Sequence, residues 1–218
     1  MKSINYDKWN KYEIGNVPWV NSRKDHISRK TFINYIIKGN YKNILEIGAG
    51  EAIEAQEIIK RKPDINYTIM DVSDTFLDYV KSLGINGIKG EMHNTNFKNK
   101  EFDLVYLAAV IEHSPNLLLT FKELRRISKE FFITMFKWRM KGKNELKSRF
   151  IPRRKFYSTV FKIDGIFDLI EKYGIINSKI ISTKKERILD YDKYIKKLTP
   201  DIDEHRNGNY VSIIGKFK

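Results

Sequence analysis

The chain has 218 residues, 41 Lys and Arg against 27 Asp and Glu, a net charge of +14 and 41% hydrophobic residues. That is enough apolar material for one sizeable core, so a single domain over residues 1–218 is expected. The absence of cysteine excludes disulfides, thiolate metal sites and cysteine nucleophiles. No metal site is expected, and with no apolar run of signal-peptide or membrane-spanning length a cytoplasmic location is expected.

In chain order, residues 1–22 read as irregular and hold Trp9, Tyr12, Pro18 and Trp19. These aromatics admit two readings, a lid over a ligand site or a hydrophobic clamp on the first helix. Ile27, Thr31, Phe32, Tyr35 and Ile36 then make one helical face up to Gly39. Ile44, Leu45 and Ile47 read as a buried strand that breaks into Gly48-Ala49-Gly50, and a helical pattern starts at once through Ala52, Ile53, Ala55, Ile58 and Ile59. Glycine fits where backbone must bend sharply or approach a ligand. The first turn of the helix offers unpaired N–H groups and a positive dipole end. The dinucleotide pattern G-x-G-x-x-G/A fails, because Ile53 stands where it needs a small residue.

Residues 66–70 read as the second strand, ending in Asp71 about twenty residues beyond the turn, where an acid accepts hydrogen bonds from ribose hydroxyls in open α/β sheets. Asp71 could also open the next helix, but Ser73 or Asp74 suits that role. A short strand near residues 85–89 leads to a loop with Glu91, Met92 and His93. Residues 102–110 are nearly all apolar, as expected of a central parallel strand, and run into Glu112-His113-Ser114-Pro115. Ser114 and Pro115 read as the N-cap and first turn of a helix that carries Leu117, Phe121, Leu124 and Ile127. Residues 131–136 form a fifth strand. Alternation of strand and helix from residue 43 to 136 is the signature of a parallel sheet with crossovers.

A basic excursion over 137–158 interrupts this rhythm. Its stretch from Lys137 to Lys155 includes Arg139, Arg153 and Arg154 against a single acid, Glu145, with Trp138, Phe150, Phe156 and Tyr157 alongside. It reads as a dock for a phosphate, a carboxylate or a nucleic acid, or as part of a generally basic surface. Ile163, Ile166, Phe167 and Ile170 restore a helix closed by Gly174. Residues 175–182 and 210–217 read as the last two strands, with a short helix between them at 189–198.

The segment Glu46-x-Gly48-x-Gly50-x-Ala52 is similar to the first motif of class I, Rossmann-like S-adenosylmethionine-dependent methyltransferases, with Ala52 in place of a third glycine. Val110-Ile111-Glu112-His113-Ser114-Pro115 resembles the V-L-E-H-x-P segment after the fourth strand of many small-molecule members. Asp71 and the Glu91-Met92 loop fall where the family has its second and third motifs, so the resemblance covers roughly residues 40–136. It implies a seven-stranded, mostly parallel sheet with helices on both faces and the last strand antiparallel. It also implies an N-terminal lid (1–40), a cofactor core (41–136), a substrate-recognition insertion after strand five (137–160) and a C-terminal part of the sheet (161–218).

The implied cofactor is S-adenosylmethionine, with S-adenosylhomocysteine as product. Glu46, Gly48, Ala49 and Gly50 would hold its amino-acid tail, Asp71 and Val72 its ribose, Glu91 and Met92 its adenine, and Ala108 would line the same site. His113 is the first candidate base, since an imidazole suits proton removal from a hydroxyl near neutral pH, although it could equally bond backbone. Glu112 would act beside it or bind the methionine end or water. Tyr12, Trp19, His93, Arg139, Arg153, Arg154 and Tyr157 are expected around the acceptor, with His93 a second candidate base. The expected acceptor is a small phosphorylated, anionic or sugar-like molecule methylated on oxygen rather than nitrogen. An RNA methyltransferase using residues 137–155 and a silent cofactor-binding partner subunit are the alternatives. Pyrimidine carbon-5 chemistry is excluded for lack of cysteine, and neither an Asp/Asn-Pro-Pro-aromatic motif nor a Lys-Asp-Lys-Glu set is present.

Overall fold

In a computed structural model of the chain, strands β1 (Asn43–Ile47), β2 (Asn66–Asp71), β3 (Asn86–Lys89), β4 (Phe102–Ala108) and β5 (Ser128–Met135) alternate with helices α3 (Ile53–Arg61), α4 (Asp74–Ser82) and α5 (Leu117–Ile127). A 3-10 turn at Tyr6–Lys11 and helices α1 (Pro18–Asn21) and α2 (Ile27–Lys38) precede them. The structure describes residues 6–21, 27–135, 138–139, 149–152, 156–158, 161–162, 172, 175–182, 187–190 and 211–217. Among these, no helix is long and apolar enough to cross a membrane.

Four short strands follow β5: β6 (Trp138–Arg139), β7 (Arg149–Ile151), β8 (Phe156–Ser158) and β9 (Phe161–Lys162). β6 pairs with β9 and β7 with β8, so the basic excursion holds one small two-stranded sheet and shares a second with β9, just beyond it. The main sheet is completed by β10 (Ile175–Ser182), β11 (Arg187–Asp190) and β12 (Val211–Phe217). It runs β11-β10-β12-β5-β4-β1-β2-β3. β1 to β5 pair in parallel, and β12 lies antiparallel between β5 and β10.

The sheet therefore has eight strands rather than the expected seven. The additional edge strand β11 pairs antiparallel with β10 and takes Leu189 and Asp190, which were expected to open a helix; the rest of that expected helix lies outside the described residues. The helix expected at 163–170 and its closing Gly174 also lie outside them. β5 starts at Ser128, earlier than expected, because Ser128 is at once the C-cap of α5 and the first strand residue.

Period-two alternation along the buried strands sends side chains to both faces. On one face Leu45, Ile47, Val105, Leu107, Phe131 and Ile133 meet α5 through Leu117, Phe121, Leu124 and Ile127. On the other, Ile44, Ile69, Leu104 and Phe132 meet α2, α3 and α4 through Phe32, Ile36, Ile58 and Val80. Phe32 stacks on Tyr106 at 3.5 Å between ring centroids, nearly parallel at 8°. A one-residue slip of strands covered on both faces would swap their two buried sets and undo the packing against the helices on each side. The carboxyl ends of β1, β2 and β4 are thereby held side by side.

Candidate functional site

At the carboxyl end of β1 the chain turns through two left-handed glycines, Gly48 (φ +69°) and Gly50 (φ +57°). The Gly48 N–H donates to the Met70 carbonyl at 2.8 Å, and a Cβ at Gly48 would stand 2.5 Å from Val110 Cγ2. Glycine is thus required here both by backbone conformation and by the segment that follows β4. Ala52, in place of the family's third glycine, also adopts left-handed backbone (φ +53°) and is fully buried. Ala49 is partly buried against the α2–α3 face of the core.

Asp71 ends β2 and is 8% exposed. Burial pushes its carboxyl from 3.8 up to about 6, opposed by backbone N–H donors from Ser73, Val72 and Gly50. The Ser73 N–H reaches Oδ1 at 2.9 Å. One carboxylate therefore ties the glycine turn to the end of β2, while Ser73 caps α4 by accepting from the Phe76 N–H. Val72 beside it is half-buried.

Glu46 is 1% exposed and accepts from the Tyr67 hydroxyl at 2.8 Å. The Tyr67 phenol is pushed well above its usual range by burial, then by Glu46, with Glu54 and Tyr106 adding to it. Glu54 lies in the first turn of α3, 3% exposed, and pairs with Arg29 Nε at 2.8 Å. Arg29 and Glu54 were missed in the sequence. The signal was present: Arg29 occupies the apolar stripe of α2 with Phe32, Ile33 and Ile36, where a charge needs a partner.

Beyond β3, His93 Nε2 lies 3.2 Å from Glu91 Oε2. His93 Nδ1 is buried with no hydrogen-bond partner among the described residues. Met92 packs against the α5 side of the core. Ala108, nearly buried, ends β4 on the α2–α3 side. Beyond β4, Glu112 is fully buried. The ring of His113 is held through Nδ1, 3.0 Å from the Tyr157 carbonyl. A carbonyl only accepts, so Nδ1 carries the hydrogen and the lone pair of the neutral ring lies on Nε2. The expected capping pair gives way here. Asn116 caps α5 by accepting from the Leu119 N–H, while the Ser114 hydroxyl bonds Thr120 at 2.7 Å.

The N-terminal segment crosses these loops. Tyr6 bonds Glu91 and lies beside Tyr157, and burial followed by Glu91 raises its phenol. The Trp9 ring lies 5.3 Å from His113. The Asn10 side chain accepts from the Ser73 hydroxyl and the Asp74 N–H, both at 2.9 Å, and the Gly15 N–H donates to Glu51 at 2.9 Å. Tyr12 packs beside Val17, Val20 and Phe76. Trp19 stands in α1, Arg139 in β6 and the nearly buried Tyr157 in β8. Arg153 and Arg154 lie outside the described residues. Gly48, Gly50, Asp71, Glu91, His113 and Tyr157 are thus brought to one edge of the sheet, and Tyr6, Asn10 and Glu51 join them without a local sequence signal.

Residues 45–131 match the family of methyltransferase domains. A malonyl-[acyl-carrier protein] O-methyltransferase from Ilyobacter polytropus is 24% identical over 157 residues, 68% of this chain and 57% of that protein. The chain thus matches little more than half the length of this curated relative. A Haloferax volcanii methyltransferase solved in complex with the Trm112 methyltransferase activator has a similar fold, with TM-score 0.67, 12% identity and coverage of 99% of this chain and 98% of that one. So does Haemonchus contortus phosphoethanolamine N-methyltransferase 2, solved with phosphomonomethylethanolamine and S-adenosylhomocysteine, with TM-score 0.65, 13% identity and coverage of 100% and 61%. Sheet order, the glycine turn and the methyltransferase domain matched over residues 45–131 agree with one another, and all three are those of a class I methyltransferase with S-adenosylmethionine as cofactor.

Proposed function

We propose that this chain moves a methyl group from S-adenosylmethionine onto an oxygen of a small acceptor. The cofactor supplies a methyl already activated on a sulfonium, so the protein's task is to hold acceptor and donor in line and exclude water. The residues present fit such a ligand. The Gly48–Gly50 turn with Glu46 and Ala49 would take the amino-acid tail, Asp71 and Val72 the ribose, Glu91 and Met92 the adenine, and Ala108 would line the wall beside them. The observation that carries the oxygen reading is the His113 tautomer: with Nδ1 committed to the Tyr157 carbonyl, Nε2 can accept a hydroxyl proton. Glu112 would support that end of the site from within the core.

Residues 1–40 would close over the 41–136 core as a lid, since Tyr6, Asn10 and Gly15 each bond a loop assigned to the cofactor. Tyr12, Trp19, His93, Arg139, Arg153, Arg154 and Tyr157 would face the acceptor. Its anionic character is supported by the surplus of cations within residues 137–155. The test is transfer of labelled methyl to a panel of phosphorylated, carboxylated and sugar acceptors, with bulk RNA as competitor. His113→Gln should lower turnover by about 10²–10⁴-fold with S-adenosylhomocysteine affinity unchanged. Full turnover by that variant would remove the base, and labelling of RNA alone would replace the small acceptor.

A further inference from the structure

The His93 side chain is only 10% exposed, and its Nδ1 is buried with no hydrogen-bond partner among the described residues. Its Nε2 lies 3.2 Å from Glu91 Oε2. A carboxylate only accepts, so the hydrogen sits on Nε2 and the neutral ring holds a lone pair at Nδ1. A buried acceptor left without a donor is costly, and buried polar groups are nearly always paired. Nδ1 therefore calls for a donor. An ionised phosphate or carboxylate brings only acceptors, whereas a hydroxyl brings the hydrogen this nitrogen lacks.

His113 presents the same arrangement, with Nδ1 committed to the Tyr157 carbonyl at 3.0 Å and the lone pair on Nε2. One short element borders both rings. In a 3-10 turn, residues three apart eclipse and stand about 6 Å apart along the axis. Tyr6 and Trp9 are such a pair in the turn Tyr6–Lys11. Tyr6 bonds Glu91, the partner of His93, and lies beside Tyr157, the partner of His113. Trp9 lies 5.3 Å from the His113 ring. One side of one turn thus reaches both carboxylate- or carbonyl-held imidazoles.

We infer that the acceptor is a diol, with one hydroxyl at His113 Nε2 and the other at His93 Nδ1, so that His93 determines which acceptors are taken. This rests on the methyl transfer to oxygen proposed above and names the acceptor's chemistry. The first hydroxyl gives its proton to His113 Nε2 as its oxygen bonds the methyl carbon and the carbon–sulfur bond breaks. The second donates to His93 Nδ1 and does not react.

The test is the rate of labelled methyl transfer to matched probes that differ by one hydroxyl: catechol and phenol, inositol and cyclohexanol, glycerol phosphate and hydroxypropyl phosphate. The wild-type chain should favour the diol of each pair it turns over by about 10- to 100-fold in kcat/KM. In His93→Leu that ratio should fall below about threefold. His93→Asn, whose amide oxygen accepts near the position of Nδ1, should keep most of it, which a purely structural role would not predict. Nitrogen NMR of the wild-type rings at neutral pH should find the His93 hydrogen on Nε2, and this measurement needs no variant. A hydrogen on Nδ1, an undiminished ratio in folded His93→Leu, equal wild-type rates for diol and mono-ol, or turnover of no diol at all would each overturn the assignment. Failure of the wild type to bind S-adenosylhomocysteine would instead defeat the cofactor reading itself.

Discussion

Replacing Asp71 by asparagine separates the cost of a buried carboxylate from its use. Burial raises this carboxyl from 3.8 to about 6, so holding it ionised at pH 7.5 costs the folded chain about 3 kcal/mol at 1.36 kcal/mol per unit. Asparagine removes that cost. Its amide oxygen keeps the acceptor for two of the three N–H groups from Ser73, Val72 and Gly50. The third meets an NH₂, and an unpaired buried donor costs about 1–3 kcal/mol. The free chain should therefore lose no stability and gain up to about 2 kcal/mol, a rise in Tm of zero to about 6 °C for a chain of this size. Affinity for S-adenosylhomocysteine should fall about 10- to 100-fold, because ribose hydroxyls donate more strongly to a carboxylate than to an amide. Differential scanning fluorimetry without ligand and titration calorimetry with it read the two effects separately. A variant that melts more than about 5 °C lower and binds the ligand as the wild type does would refute the reasoning, leaving Asp71 as a brace for the glycine turn alone.

The same carboxyl sets a pH dependence. Ligand affinity of the wild type should decline about tenfold per pH unit below about 6, and the asparagine variant should not show this decline. Because the folded-state value lies above the unfolded one, the destabilising share of Asp71 is absent below about 3.8 and grows as pH rises to about 6. Glu123 behaves oppositely. Burial would raise its carboxyl, but Arg126 and Thr95 outweigh burial and hold it at about 2. Its stabilisation is therefore present above 4.5 and lost as pH falls toward 2, so urea melts of Glu123→Gln should differ from wild type at pH 7 and converge near pH 2. Gly48→Ala should cost about 2–4 kcal/mol, combining the left-handed φ with the Val110 clash. Adding Val110→Ala should recover only the clash, and full recovery would mean that φ imposes nothing. Ala52→Gly relieves a left-handed alanine, whereas Ala55→Gly opens a helix interior, and both alanines are fully buried. The first should be the milder by about 1–2 kcal/mol in chemical denaturation, and equal costs would dismiss strain at residue 52.

Much of the parallel core was legible because it is written in local patterns. The apolar runs of β1 and β4, the helical stripes of α3 and α5, and the glycines between β1 and α3 each depend on residues a few positions apart. The cap of α5 was misplaced because Ser and Asn cap equally well, and only the fold gives the Ser114 hydroxyl a nearer partner in Thr120. The strand at Arg187–Asp190 escaped notice because an edge strand exists through its neighbour β10.

Spacing and periodicity alone determined the strand–turn–helix rhythm, the bend at Gly48–Gly50 and the acid that closes β2, since these express the conformational preferences of adjacent residues. Tertiary structure decided which charges meet. Arg29 reaches Glu54 across two helices, Tyr6 reaches Glu91, and His113 finds the Tyr157 carbonyl 44 residues away. Such pairs are set by the sheet order that brings distant loops to one edge, and by the cost of burying a polar atom unpaired, neither of which any short stretch of sequence contains.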